Sequence, residues 1–575
     1  MMAPGERPNF EQLKASEALR TTEGAKVPEQ PPSDAAEEQL DAPKSTTADA
    51  PLRGEASRRE AEVAGQRGDF ALLVALIADS GADSAERGEA ARALSRLALP
   101  TSGGREAAMT AIVDATTASI EELVQQTQGW SSEMLWSTVA LWGLARSAAD
   151  YKSAIAEAGG IVPLVELTRS GNADILEWAA AALSNLAADN DNNRVEIAEA
   201  GGILPLIELT RRGTAGAQAK AAAALANLAA DNGDNKVEIT ATGGVLPLIE
   251  LMRSGTAAAK ENAAAALSTL AFNADSSVEI AAADGIAPLV ELARIGTTGA
   301  KENAAAALQS LAVNDDNAVA IEAAGGIAPL VELTRIGTNG AKEKAAGALA
   351  TLAVNADIAV AIAAAAGIAP LVELTRSGTA VAEGNAAAAL ATLAVNADNK
   401  VVIAAAGAIA PLIELTRSGT ADAKGNVAGA LSNLAANNDD NRVAIAAAGG
   451  IAPLIELTRS GTAAAKANAA EALATLAVND DIAVAIVAAG GIAPLIQLTC
   501  CGTAAARGSA VVALSNLNVN ADDKGWRSQQ PAPPRRSSRW SCLCHIWPSR
   551  TTPTGARATW YLYRRRNSVA PKLPY

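Results

Sequence analysis

His545 is the only histidine of the chain, and it lies in the run Cys542-Leu-Cys544-His545, where metal-ligand side chains crowd together. A structural zinc site needs a second ligand pair at short spacing to complete a tetrahedron, and this cluster has none. The other two cysteines are neighbours, Cys500-Cys501, standing where sister segments read Arg-Ser. They are either a redox pair or a neutral replacement in one copy. The recurrent Gly-Thr-x-x-Ala-Lys, as in Gly296 to Lys301, resembles a phosphate loop only superficially: no glycine directly precedes the lysine, and Glu302 follows it where a Ser or Thr is needed. No Ser/His/Asp or Cys/His set can be assembled. The expectation is a non-enzymatic chain with no metal and no cofactor.

What does recur is neutral hydrogen-bonding chemistry. Asn185, Asn227, Thr269, Ser310, Thr351, Thr392, Asn433, Thr475 and Asn516 succeed one another at intervals of 41 or 42 residues, and Asn262, Asn303, Asn385, Asn426 and Asn468 make a parallel row. An amide carries both a donor and an acceptor, so a row of them can pair with the backbone of an extended segment. The same residues can also do no more than solvate the outer face of an alanine-rich helix.

The element that must position these rows is a repeat. Prolines at Pro163, Pro205, Pro247, Pro288, Pro329, Pro370, Pro411, Pro453 and Pro494 mark a period of 41 or 42 residues. Such a period means a solenoid of stacked helical units, none able to bury its apolar face alone. Three helices per unit are expected. Asp316 or Asn317 caps a short first helix over 318–324, which Gly325-Gly326 ends. Pro329 sits in the first turn of a second helix that stops at Gly337. A longer third helix follows, over roughly 298–313 in one unit and from Asn339 to about Val354 in the next. On it Ala304, Leu308 and Leu311 share a buried stripe, and the leucine recurs from Leu183 to Leu514. A second stripe, Asn303, Ala306, Ser310 and Asn314, faces elsewhere. We count nine regular units and two divergent ones before them.

Residues 1–69 mix charge, proline and hydroxyl side chains without periodicity and read as disordered. The array is expected over 70–524, with 70–150 divergent and 151–524 regular. The last segment, 525–575, breaks the pattern: it has ten basic residues, no acid and four of the eight tryptophans. It is a basic Trp/Arg/Pro-rich tail, either an RNA- or acidic-lipid-binding extension or the product of a frame or splice error. The rest of the chain carries −25, against −15 for the whole, which argues against nucleic-acid binding by the array and favours protein partners. No signal peptide is visible. The most apolar stretch, Ile358 to Val372, is too short to span a membrane, and the cysteine usage fits a reducing, cytoplasmic or nuclear setting.

The pattern GGI-x-PL-[VI]-EL-T-R-x-G followed by AL-x-[NST]-LA, in three-helix units, resembles the armadillo repeat, over about Phe70 to Lys524. The resemblance implies a right-handed superhelix whose third helices line a groove for extended or disordered segments of other proteins. In alanine-rich character it is similar to vacuolar-protein-8-like and plant armadillo scaffolds. It implies a scaffold or adaptor, with an importin-alpha-like nuclear-import receptor and a ubiquitin-ligase adaptor as alternatives. The import adaptors pair the row asparagine with a tryptophan four residues earlier. Here that place holds Ala181, Ala223, Ala265, Ala306, Gly347, Ala388, Gly429, Glu471 and Val512.

Overall fold

Asn314, not Asp316 or Asn317, opens the first helix of the unit chosen above: its side chain accepts from the Asn317 backbone N–H, and the helix runs Asp315–Ala323. The computed structural model describes residues 120–128 and 133–522, together with residue 90. The expected lead-in, most of the first divergent unit, and the basic tail with Cys542, Cys544 and His545 lie outside the described residues.

The helix turns sharply after Ala323. Gly326 N–H reaches back to Ile321 O at 2.9 Å while Gly325 takes a φ of +75°, a conformation open to glycine at little cost. The second helix, Ile327–Ile336, follows at once with Pro329 in its first turn and ends at Gly337. Thr338 then caps the third helix, Asn339–Leu352, accepting from Ala341 N–H at 3.2 Å. The Gly-Thr-x-x-Ala-Lys run is therefore a turn and a helix start. The order repeats from Ala149–Glu157, Ile161–Leu167 and Ala173–Ala187 through to Asp480–Ala488, Ile492–Cys501 and Ala504–Asp522. The expected helix ends hold to within about two residues, except that the first helix begins three residues before the expected 318.

Each third helix packs along the third helices of the units before and after it, and each second helix packs on its own third. Two layers result, and the short first helices touch both. Alanine allows this close stacking. Ala304, Leu308 and Leu311 are wholly buried, as are the equivalent leucines from Leu183 to Leu473 to within 1%. Leu514, in the last described helix, is only half-buried, and no described unit follows it. The chain is an all-α solenoid, and no described helix is long and apolar enough to cross a membrane.

Polar side chains tie the layers between units. Asn235, 3% exposed, donates from its side chain to Leu228 O at 2.9 Å and to Arg194 O of the preceding unit at 3.2 Å. Asn193, Asn317, Asn399 and Asn441 are buried at the same place. Ile358 and Ile482 replace them in two units. Arg211 and Arg376 on the second helices reach the next unit's turn, donating to Gly243 O and Gly407 O at 3.1 Å. Much of the recurrent polar sequence is thus accounted for by joints.

Candidate partner-binding face

The two polar rows lie on the outer face of the third-helix layer. Positions five before, two before and two after the buried leucine share that face, because they recur at helical spacing. Every row residue is half-buried except Ser310, which is 9% exposed; Lys344, which takes the place between Asn303 and Asn385 in the second row, is exposed. Asn314, one turn beyond Ser310, leaves the face to cap the next helix. The four-residue stripe expected around Ser310 is therefore one member shorter. The chain bends away after the third helix, and a capping asparagine at the bend satisfies the N–H groups that open the next helix.

The asparagines of both rows are held by the previous unit. Asn262 Nδ2 donates to Ala219 O at 2.8 Å, Asn303 to Glu261 O at 3.1 Å, Asn385 to Glu343 O at 2.9 Å, Asn426 to Gly384 O at 3.1 Å and Asn468 to Gly425 O at 2.9 Å. In the other row Asn185, Asn227, Asn433 and Asn516 donate to Trp142 O, Ser184 O, Ala391 O and Ala474 O at 2.8 to 3.3 Å. The hydroxyls turn inward instead: Thr269, Ser310, Thr351, Thr392 and Thr475 donate to carbonyls three or four residues back on their own helices. One amide N–H is thus committed to stacking. The second N–H and the carbonyl oxygen of Asn303 and Asn385 have no partner among the described residues.

Glutamates strengthen one end of the layer. Thr297 and Thr338 donate to Glu261 and Glu302 of the preceding unit at 2.6 and 3.3 Å, and Thr379 does the same to Glu343. Each of these threonines also caps its own helix. Among the described residues no three His, Cys, Asp or Glu side chains gather into a metal site. Cys500 and Cys501 are exposed free thiols at the end of the helix Ile492–Cys501.

Two aromatic residues went unread as part of this face. Trp142 and Trp178 pack with ring centroids 4.8 Å apart at 58°, and the Arg146 guanidinium lies 5.6 Å from the Trp142 ring. Both rings are half-buried. Register was the signal that could have found them. Trp178 holds the place that Asn262 takes two units later, and Trp142 the place of Ser184.

The model of the Armadillo/β-catenin-like repeat matches residues 149–188 and 396–436. The units so matched bracket others of the same helix order, stacked as described. The chain belongs to the armadillo repeat family. The array is similar to the crystal structure of an engineered protein at 31% identity, over 69% of this chain and 98% of that one, with a TM-score of 0.64. It shares its fold with a structure from work on the phosphorylation-controlled interaction of cadherin with β-catenin, at 17% identity, over 82% and 98% of the two chains and a TM-score of 0.59. No curated protein matches the chain. For the armadillo array the role this supports in general is a protein-interaction scaffold.

Proposed function

We propose that the array captures an extended or disordered segment of a partner protein along the outer face of its third helices, without catalysis. One observation carries this reading: the asparagine rows are pre-set. Each amide is anchored through one N–H to the neighbouring backbone, so its remaining groups point the same way unit after unit. A pre-oriented amide spends little side-chain entropy when it binds, and an extended backbone presents matching donors and acceptors at regular intervals. Affinity then sums over many weak contacts. The β-catenin neighbour, whose partner is cadherin, adds family-level support. The exposed Cys500 and Cys501 fit a reducing compartment.

The test is capture of partners by the full chain, followed by binding of their extended segments as peptides in a fluorescence titration. The double variant Asn385→Ala, Asn426→Ala should weaken such a peptide about tenfold, near 1.4 kcal/mol, with an intact thermal transition. Partners bound only as folded domains, with affinity indifferent to both substitutions, would refute the reading. Tight binding of a basic import peptide, lost in Asn185→Ala with Asn227→Ala, would turn it toward an import receptor.

A further inference from the structure

A second surface lies beside this face, where each third helix hands over to the next first helix. In the unit 313–319 the sequence is Val-Asn-Asp-Asp-Asn-Ala-Val. Asn314 is spent as the cap and Asn317 is buried, which leaves Val313, Asp315, Asp316 and Val319 exposed. Asp316 and Val319 are three residues apart on one helix and so share a side of it. The segments 272–278, 354–360, 395–401 and 478–484 repeat the arrangement, with Phe272 in place of the first valine. The ten apolar side chains at the two ends of these five segments are 50 to 75% exposed.

Helix formation does not account for them. A valine inside a helix loses side-chain freedom that alanine keeps, and alanine is this chain's usual filler. Burial does not account for them either. What recurs is a pair of exposed apolar side chains with a carboxylate between them in the sequence, a double rail repeated along the stack. Asp316, Asp357 and Asp398 have no ion-pair partner among the described residues. The protein itself seats a cation on one rail, with Lys236 Nζ 5.7 Å from the Phe272 ring centroid.

We propose that this double rail, centred on 313–319 and 354–360, is a second docking surface for a protein segment that interleaves aliphatic side chains with Lys or Arg. The inference rests on the reading of the array as a protein-binding scaffold, but uses a different face. Charge selects the occupant. The carboxylates of Asp316, Asp357 and Asp398 between the rails attract a basic segment and repel an anionic membrane or an acidic peptide. The aliphatic side chains supply the burial that charge alone does not.

The test uses the full chain and a fluorescein-labelled peptide of repeated Leu-Lys-Ser triplets, with Ser-Lys-Ser and Leu-Glu-Ser repeats as controls. The Leu-Lys-Ser peptide should bind at least about tenfold more tightly than either control. The variant Val313→Ser, Val319→Ser, Val354→Ser, Val360→Ser should remove that advantage without lowering the thermal midpoint, since these side chains are exposed. The pair Asp316→Asn, Asp357→Asn should weaken binding and flatten its dependence on salt. Asn385→Ala with Asn426→Ala should leave this probe untouched. Equal binding of Leu-Lys-Ser and Ser-Lys-Ser, absence of binding, or indifference to the four serines overturns the proposal. So does capture of the chain by phosphatidylcholine–phosphatidylserine vesicles in a manner the four serines abolish. Loss of the probe in the asparagine variant alone would overturn this surface and leave the third-helix reading standing.

Discussion

Leu308→Ala should unfasten the array locally, and the same substitution at Leu514 supplies its internal measure. Leu308 is wholly buried, with Ala304 and Leu311 beside it on the same stripe. Truncation to alanine removes three carbon atoms, worth about 2.4 kcal/mol at roughly 0.8 per methylene. A residual cavity raises the total into the range of about 2 to 5 kcal/mol. Leu514 has the same register but is only half-buried, so its truncation should cost about half as much or less. A solenoid does not unfold in one step, so a single melting temperature understates such a local effect. Hydrogen exchange resolved by peptide is the better assay. Protection over the helix Thr298–Leu311 should fall about fiftyfold or more in Leu308→Ala. Units far along the chain should change little. Unchanged protection at 298–311, or a Leu514→Ala variant as damaged as Leu308→Ala, would refute the stacking argument.

Ala366 sits at φ +58° where other units place Gly325 and Gly407, so Ala366→Gly should stabilise by about 0.5 to 1 kcal/mol in chemical denaturation, strain relief outweighing the added unfolded-chain entropy. Asn235→Ala strips a donor from two buried carbonyls and should cost about 2 kcal/mol. Asn303→Ala, at a half-buried place where water can substitute, should cost under about 1 kcal/mol by the same measurement. Burial, only partly offset by the attraction of Asp189, holds Lys152 below the ordinary lysine value of 10.5. Between the lowered pKa and 10.5 the unfolded chain keeps a proton that the folded chain has released, so the Lys152 contribution to stability rises with pH across that window. Comparing the melting of wild type and Lys152→Met across that alkaline window should show the rise in wild type alone.

Period, helix order and core were legible because they are set by residues with a single physical use. Pro329 can only open a helix, Gly325 can only turn the chain, and Leu308 recurs where nothing but a core would place it. The Asn-Asp-Asp-Asn run at 314–317 was not legible in the same way, since all four residues are competent caps. The choice among them depends on where the preceding helix ends, which in turn depends on the packing of Leu311. The row asparagines were ambiguous for a related reason. An amide that grips a neighbouring helix and one that faces a ligand have the same spacing, and Asn303 does the first while leaving groups for the second. The pairing of Trp142 with Trp178 was not legible, because their contact joins side chains 36 residues apart and from different positions of the unit.

The asparagine joints have a consequence for how such a chain can change. Asn385 ends on the carbonyl of Glu343, and Asn426 on that of Gly384. The receiving group is main chain in each case, offered by glutamate and glycine alike. A unit therefore has no need to recognise its predecessor by side chain. Whole units of one period can be removed, doubled or exchanged, and each will find the same socket waiting. A point substitution on the accepting side is equally invisible to the joint. The array is free to diversify its exposed positions one unit at a time while its length is edited in whole turns of the repeat.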